Sequence, residues 1–482
     1  MQVYNTLVRR KQTFKPISDK EVGIYTCGPT VYWFAHIGNM KSYVSEDVIK
    51  RTLIHSGYKV KHVMNITDVG HLVGDANLGE DKVKMEARKE HKSALEVSRF
   101  YTRAFMEDME RLNIIKPDVI CKATEHIPEM LDLVKRLDDK GYLYKVETGM
   151  YYDTSKFKDY GALAGMDFEK LNKYLKAGAR VERAAGIRNT TDFAVWRFSK
   201  GDEKEMVWDS EWGRGFPGWH IECSAMSMKY LGNHFDIHMG GIDHIPVHHT
   251  NEIAQSEGAT GEKFVNYWMH MAFLKVNGKK MAKSLGNIYT IKELVERGFD
   301  PIAVRLLFIS GHYRQELNFT IESLKNMANT LSTLYSFIDR IKEISKSGGD
   351  SKDKGFLEFI DGSRKDFFSA MEDDFSTPEA LASMYSLVKE SNKRAESGMG
   401  AEEVKHVLDT MLEFDSILGL GFEKRLSRSS KLSEEVEKLI KERNDARKRK
   451  DFEEADRIRR VLKERGVILE DTAHGTLWKS SD

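Results

Sequence analysis

Short runs of alternating hydrophobic and polar residues near the start of the chain predict strands, and a longer periodic run between them predicts a helix. Val22–Tyr25 predicts a buried strand that ends at Cys27-Gly28-Pro29, and residues 58–66 alternate like a second strand. Between them, MKSYVSEDVIKRTLIHSGY has the period of a helix that begins near Met40 and stops at Gly57. This order predicts a parallel α/β unit, with its ligand site at the strand ends and helix N-termini.

A second unit of the same kind is predicted further along the chain. Residues 234–238 are strand-like, Gly240-Gly241 forms a turn, and residues 247–257 have a helical pattern. Asn277-Gly278 lies between two short strand-like runs, 273–276 and 279–281, and predicts a hairpin. The stretch between the two units, roughly 86–211, is interpreted as an inserted connecting subdomain.

The pattern becomes helical after about residue 300. Six apolar residues are spaced three and four apart, which predicts one buried helix face: Leu324, Met327, Leu331, Leu334, Ile338 and Ile341. Polar linkers are predicted at 345–355 and around 427–433, the second of them before a basic helix over 438–465. We therefore divide the chain into an α/β domain at 1–300, a helical bundle at 301–425 and a C-terminal module at 426–482.

Composition agrees with this division and narrows the class of protein. At roughly 150 residues per domain, 482 residues predict about three domains. The 75 Lys and Arg balance 75 Asp and Glu, which argues against a general polyanion binder but leaves room for local basic faces. No apolar run is long enough for a membrane helix or a signal-peptide core, so we expect a cytoplasmic protein with no membrane partner. We also expect a monomer.

Cysteine and histidine point to a site. The three cysteines cannot form a disulfide framework, and buried thiols are the simplest interpretation. However, seven of the 16 histidines fall between residues 220 and 270, together with Cys223. His248 and Glu252 are four residues apart on one predicted helix face, and with Cys27 and Cys223 they offer a ligand set that suits Zn²⁺. A polar helix face remains the alternative for this spacing.

Two further segments have the chemistry of a nucleotide site. His36-Ile37-Gly38-Asn39 precedes the first predicted helix, where exposed backbone N–H groups attract phosphate and the His36 and Asn39 side chains are positioned to donate to it. Lys280-Met281-Ala282-Lys283-Ser284 follows the hairpin, and its two lysines are suited to neutralising a triphosphate and the departing pyrophosphate. Taken singly, each segment is also compatible with an ordinary loop.

The order and separation of these two segments resemble the "HIGH" and "KMSKS" signatures of class I aminoacyl-tRNA synthetases. Within that class the chain most resembles the cysteinyl-tRNA synthetase family, from near residue 20 to Trp478. The segments that carry this resemblance include CGPTVYWFAHIGN, MNITDVGHLVGD, WDSEWGRGFPGWHIECSAM, HFDIHMGGIDHIPVHHTNEIAQSEGAT, KKMAKSLGN, GHYRQELNFT and DFEEADRIRRVLKERGVILEDTAHGTLW.

The resemblance implies a Rossmann-type catalytic domain, an α-helical bundle and a small anticodon-binding module. It also implies that ATP, L-cysteine and cysteine tRNA are the substrates, with one Zn²⁺ per chain and Mg²⁺ accompanying ATP. The residues implied for each role are Cys27, Cys223, His248 and Glu252 for zinc; Cys27, Thr30 and Trp219 for cysteine; His36, Asn39, Gly240, Gly241, Asp243, Lys280 and Lys283 for ATP, of which His36, Asn39, Lys280 and Lys283 act in catalysis; and Arg457, Arg460 and Trp478 for tRNA.

Three departures from the family pattern are visible. Asn39 replaces the last histidine of "HIGH", Ala282 replaces the first serine of "KMSKS", and PVHHTNE stands where PHHENE is commoner. The spacing of His248 and Glu252 survives, so the implied ligand set is unchanged.

Two other functions stay open at this point. An ATP-dependent ligase that joins cysteine to an amino sugar shares the catalytic half and the zinc site but lacks the full anticodon-binding end. A catalytically silent tRNA-binding paralogue is the second alternative. It stays open because Asn39 and Ala282 depart from the two signature motifs. The C-terminal helix has nine Lys or Arg against six Asp or Glu between residues 441 and 460, a balance that by itself favours an ordinary solvated helix. The resemblance covers the C-terminal end as well, which favours the synthetase and implies that this end contacts the anticodon.

Overall fold

A computed structural model describes residues 1–69, 82–178, 185–199, 201, 205–282, 285–347, 352–449, 451–464, 467–472 and 475–480. Its strands are β1 (Gln2–Asn5), β2 (Arg10–Thr13), β3 (Glu21–Thr26), β4 (Lys59–Ile66), β5 (Val119–Lys122), β6 (Leu143–Val146), β7 (Gly149–Tyr152), β8 (Phe193–Phe198), β9 (Gly215–Pro217), β10 (Phe235–Gly241), β11 (Val265–Met271), β12 (Leu274–Val276), β13 (Lys279–Lys280), β14 (Leu317–Phe319), β15 (Val467–Thr472) and β16 (Gly475–Ser480).

The α-helices are α1 (Ile37–His55), α2 (Lys82–Glu90), α3 (Ala94–Arg111), α4 (Ile127–Asp139), α5 (Phe168–Gly178), α6 (Trp219–Leu231), α7 (Thr250–Thr260), α8 (Ile291–Glu296), α9 (Pro301–Ile309), α10 (Ile321–Ser347), α11 (Lys354–Glu372), α12 (Thr377–Glu396), α13 (Ala401–Leu418), α14 (Phe422–Lys448) and α15 (Phe452–Glu464). A π-helical turn, Ile245–His249, runs directly into α7. Among the described residues, no helix is both long and apolar enough to cross a membrane.

A five-stranded parallel sheet forms the centre of the α/β region, in the order β11-β10-β3-β4-β5. The predicted strands of both units lie next to each other in it, because β3 pairs with β4 on one side and β10 on the other. The point between β3 and β10 is where the two halves of a doubly wound sheet diverge, and ligands bind there at the carboxyl ends of the strands. The α/β prediction is confirmed.

The connecting segment differs from the prediction in one respect. The insert expected at 86–211 contains β5, which pairs in parallel with β4 and is therefore an edge strand of the central sheet. A strand of four residues is too short to give a periodic signal, and only its pairing with β4 shows that it belongs to the central sheet. The antiparallel sheet β6-β7-β8-β9 follows later in the same stretch.

Helices α9 to α13 share one hydrophobic core with the α/β region. The six periodic residues predicted for the helical part all lie in or against this core, where Met327 alone is only partly buried. The predicted linker around 427–433 is wrong, because α14 runs without a break from Phe422 to Lys448. Polar residues suggested a loop there, but they also suit an exposed helix. The other predicted linker, 345–355, lies partly outside the described residues.

Candidate active site

A cavity of about 430 Å³ opens at the carboxyl ends of β3 and β10. Loop residues after β3, the start of α1 and α6, and the β12–β13 hairpin all contribute to its walls. Eleven of the residues singled out from the sequence line it: Cys27, Thr30, His36, Asn39, Trp219, Cys223, Gly240, Gly241, Asp243, His248 and Lys280. The fold therefore brings together residues more than 250 positions apart in the chain.

Four potential metal ligands meet at one end of this cavity. One donor atom each from Cys27, Cys223, His248 and Glu252 lies within 4.8 Å of all the others, and all four residues are buried. A second group of the same size substitutes His238 and His249 for Cys223 and His248. Of these two groups, only the first has three members that line the cavity. A metal ion held by the first group would therefore be accessible to a ligand in the cavity.

The carboxylate of Glu252 is oriented by a neighbouring ring. Its Oε2 lies 2.8 Å from Nε2 of His238, whereas its buried Oε1 accepts no hydrogen bond within the described part of the chain and lies 3.1 Å from Nε2 of His248. On the other side of the His248 ring, Nδ1 lies 2.9 Å from Nδ1 of His220. Such outer contacts set the tautomer and direction of metal-binding side chains.

These four residues fit a zinc ion. Two sulfurs, an imidazole nitrogen and a carboxylate oxygen are all ordinary zinc ligands. Burial raises the pKa of both thiols, and the contact between the two cysteines raises that of Cys27 further. A cation at this point would offset the cost of holding thiolates in a buried site and would satisfy Oε1 of Glu252.

A chain of buried histidines lies beneath the cluster and was not predicted individually. Nε2 of His249 is 3.3 Å from Sγ of Cys27, and its Nδ1 is 2.8 Å from Nε2 of His270. Nδ1 of His270 is in turn 2.8 Å from Oγ1 of Thr6. Burial holds the pKa of both rings well below the usual value, so both are neutral. The density of histidines between residues 220 and 270 was the available sequence signal.

His36 occupies the N-cap of α1. Its Nδ1 accepts hydrogen bonds from the backbone N–H groups of Gly38 at 3.1 Å and Asn39 at 3.2 Å. Burial lowers the pKa of the ring, which favours its neutral form. Because Nδ1 accepts these two hydrogen bonds, the neutral ring carries its proton on Nε2. The prediction that α1 begins near Met40 with open N–H groups is therefore corrected: the helix begins at Ile37, and the ring of His36 already caps two of its N–H groups.

The two signature segments touch each other. A Cβ added to Gly38 would overlap Cε of Met281, so glycine at this position allows the loop after the hairpin to pack on the start of α1. Asn287, which the sequence analysis missed, ties this loop together: its Oδ1 accepts from the N–H of Ala282 and its Nδ2 donates to the carbonyl of Lys280. Lys283 lies outside the described residues.

Two further residues of the cavity wall, Thr30 and Trp219, contact residues from other parts of the chain. Thr30 forms a parallel bridge with Thr67, which also lines the cavity. The ring of Trp219 lies 4.4 Å from that of His248, centroid to centroid, which places an indole next to the metal-ligand cluster. A Cβ on Gly240 would lie 2.7 Å from Nδ1 of His244, so only glycine fits between β10 and this ring.

The residues expected to contact tRNA lie in the C-terminal region, outside the residues that line the cavity. Arg457 and Arg460 are exposed on α15, where Arg457 pairs with Glu454 at 2.6 Å. Trp478 lies in β16 opposite Leu469 of β15, and its side chain is outside the described part of the chain. A small core that includes Ile458 and Leu469 joins α15 to this hairpin.

Comparison with known proteins agrees with the fold. Residues 13–329 match the family model of the class I (C) tRNA synthetase catalytic domain, 366–423 match the DALR domain, and 429–478 match the cysteinyl-tRNA ligase anticodon binding domain. The fold is similar to that of methionyl-tRNA synthetase from Mycobacterium tuberculosis solved with methionyl-adenylate, with a TM-score of 0.63 at 17% identity over 84% of this chain and 93% of the other. The molecule thus has the fold of a class I aminoacyl-tRNA synthetase.

Its relatives define the family more narrowly. The chain is 45% identical to the cysteine–tRNA ligase of Treponema denticola and 40% identical to that of Thermococcus onnurineus, over 99% of both chains in each case. The chain belongs to the cysteine–tRNA ligase family, whose activity is the aminoacylation of tRNA. The match at 429–478 covers the end that the amino-sugar ligases lack.

Proposed function

We propose that this protein activates L-cysteine with ATP to cysteinyl-adenylate and then transfers the cysteinyl group to the 3′ end of cysteine tRNA. In this proposal Cys27, Cys223, His248 and Glu252 hold a zinc ion that selects the substrate by its thiol. The observation that carries it is the position of these four side chains at one end of the cavity that His36 and Lys280 also line.

The four ligands solve a problem of selectivity. Serine and cysteine differ by one atom, and a hydrogen-bonding pocket separates such isosteres weakly. A zinc ion bound there supplies a thiophilic Lewis acid that favours the deprotonated thiol. Trp219, whose ring lies beside that of His248, and Thr30, bridged to Thr67, then form the wall against the rest of the amino acid.

The first chemical step needs charge neutralisation and positioning more than proton transfer. The carboxylate of cysteine attacks the α-phosphorus of ATP, and pyrophosphate leaves. His36 presents its Nε2–H as a neutral donor, since its Nδ1 accepts two backbone N–H groups, and Lys280 and Lys283 supply positive charge to the phosphates. Asn39 offers an amide where the family has an imidazole, and Mg²⁺ accompanies the nucleotide.

The nucleoside is assigned to the part of the cavity lined by the end of β10. Gly240 and Gly241, at the end of β10, line the cavity, and Asp243 offers a carboxylate to ribose hydroxyls. In the second step the terminal ribose hydroxyl of tRNA attacks the adenylate carbonyl, and AMP leaves.

The C-terminal module is proposed to bind tRNA through Arg457, Arg460 and Trp478. We retain the three-part division of the chain as a proposal, with the boundary between the last two parts inside the continuous helix α14. A monomer in the cytoplasm completes this proposal.

The deciding experiment is the charging of a cysteine tRNA transcript with radiolabelled L-cysteine and ATP. We expect cysteine-dependent ATP–pyrophosphate exchange and charging, both lost on removal of zinc and neither supported by serine. Exchange without charging would favour an amino-sugar ligase. The absence of exchange would favour a silent paralogue.

A further inference from the structure

Glu46 is a buried carboxyl group that lines the active-site cavity. It lies on α1, and only 2% of the residue is exposed to solvent. Its Oε2 has no hydrogen-bond partner within the part of the chain that the structure describes. Among the same residues, no lysine, arginine or histidine forms an ion pair with it. The carboxyl group therefore has an unmet capacity to accept hydrogen bonds at the edge of a ligand site.

This arrangement is costly for the folded protein. A carboxyl group without a partner is expensive to bury, and burial raises the pKa of Glu46 to about 8. An apolar side chain of similar size would avoid this cost. A buried titratable group of this kind that faces a cleft is typical of a functional position.

Glu46 lies at the end of the cavity where the four potential metal ligands meet. Tyr43, one helical turn earlier, also lines the cavity and donates a hydrogen bond to the carbonyl oxygen of Cys27 at 3.4 Å. The carboxylate of Glu46 is also close enough to contribute to the raised pKa of the Cys27 thiol, after burial, the neighbouring Cys223 and Glu252. By contrast, the carboxylate of Asp243 partly offsets the lowering of the His36 pKa by burial. Asp243 therefore lies near His36, in the part of the cavity proposed to bind the nucleotide.

We propose that Glu46 receives the α-ammonium group of the substrate amino acid. The inference rests on the proposed function, because it takes the ligand to be cysteine held by its thiol near Cys27. In that ligand the ammonium group is three bonds from the sulfur, and a cation there would meet the unpartnered carboxylate. Ionised Glu46 and the ammonium group would then form a charge-assisted pair, which fixes the direction of the substrate carboxylate.

The test separates the amino group from the thiol. Glu46→Gln and Glu46→Met are compared with wild type in cysteine-dependent ATP–pyrophosphate exchange, with 3-mercaptopropionate, which lacks the amino group, as a competing thiol. We expect the KM for L-cysteine to rise about 10- to 100-fold in both variants, since a charge-assisted hydrogen bond is lost. We expect the KM for ATP and the inhibition constant of 3-mercaptopropionate to stay within about twofold of wild type.

The stability of the variants supplies a second measurement. Methionine fills the volume of Glu46 without a buried polar group, so the ligand-free Glu46→Met protein should melt at or above the wild-type temperature and keep one zinc per chain. This combination of unchanged or higher stability with weaker cysteine binding is not expected of a residue that only supports the fold.

The outcomes distinguish two kinds of failure. An unchanged KM for cysteine, an equal loss of affinity for cysteine and 3-mercaptopropionate, or a lower melting temperature in both variants would overturn the role of Glu46 alone. A wild-type protein without cysteine-dependent exchange would refute the proposed function and the inference with it.

Discussion

Arg305 and Asp47 form a fully buried ion pair, with Nη2 of the arginine 2.6 Å from Oδ2 of the aspartate. Arg305, from α9, also donates to the backbone carbonyls of Leu112 and Leu418, at the ends of α3 and α13. Burial alone would raise the pKa of Asp47, but the guanidinium groups of Arg305 and Arg51 hold it below the usual value. One side chain thus joins the catalytic sheet region to the helical bundle.

Removing the charge of Asp47 should destabilise this junction strongly. Asp47→Asn leaves the guanidinium of Arg305 buried without its counter-charge, which typically costs about 3–5 kcal/mol. Urea unfolding should show a markedly lower midpoint. Glu21→Gln, which breaks the exposed pair with Lys59, serves as the control and should leave the midpoint nearly unchanged. Equal midpoints for Asp47→Asn and wild type would contradict this assignment.

The cysteine ligands of the proposed zinc site are testable with a matched pair of variants. Cys223→Ser replaces a sulfur by a poor zinc ligand, so bound zinc should fall well below one per chain and cysteine activation should fall with it. Cys121→Ser is the control, because Cys121 is also buried but contacts the carbonyl of Met64, outside the cluster. Elemental analysis of both proteins decides the question. Full zinc occupancy in Cys223→Ser would refute the ligand assignment.

Lys280, at the end of the β12–β13 hairpin, and Lys283, which follows it in the sequence, should increase the rate of adenylate formation. Lys280→Ala and Lys283→Ala each remove a positive charge that is proposed to neutralise the phosphates, so the rate of ATP–pyrophosphate exchange should fall about 100-fold. Zinc content and melting temperature should not change. Lys279, an exposed neighbour that does not line the cavity, is the control position. Comparable rates for Lys279→Ala and Lys280→Ala would argue against this role.

Buried His62 should make stability depend on pH. Burial lowers the pKa of this ring to about 3, below the model-peptide value of about 6.5. Between these values the unfolded chain binds a proton that the folded chain does not, so the free energy of unfolding falls as the pH decreases through this range. His62→Gln should reduce this slope between pH 7 and about pH 5, whereas exposed His91→Asn should not. Identical slopes in all three proteins would disprove the contribution of His62.

Two arginines of α15, Arg457 and Arg460, should affect the charging of tRNA but not the activation of cysteine. In the variant with both Arg457→Ala and Arg460→Ala, the kcat/KM for tRNA should drop roughly tenfold at physiological salt, because the two proposed phosphate contacts would be lost. Cysteine-dependent exchange should remain at the wild-type rate, since neither residue lines the cavity. A normal kcat/KM for tRNA would remove both residues from the proposed tRNA surface.

Local patterns were enough to predict several elements and the residue types of the candidate site. The strand before Cys27, the helix that ends before Gly57 and the hairpin at Asn277-Gly278 follow from periodicity and turn residues within short windows. The four potential metal ligands were also identified in advance, because the residue types and the spacing of His248 and Glu252 persist whatever the fold around them.

Long-range packing decided the rest. No short window indicates that β5 joins the central sheet, that a chain of contacts runs from Cys27 through His249 to His270, or that Arg305 reaches Asp47. The same holds for Glu46, which in sequence is one more charged residue of a periodic helix. Its meaning comes from burial beside the cavity, since a side chain's solvation depends on elements distant in sequence, whereas its secondary structure depends mainly on near neighbours.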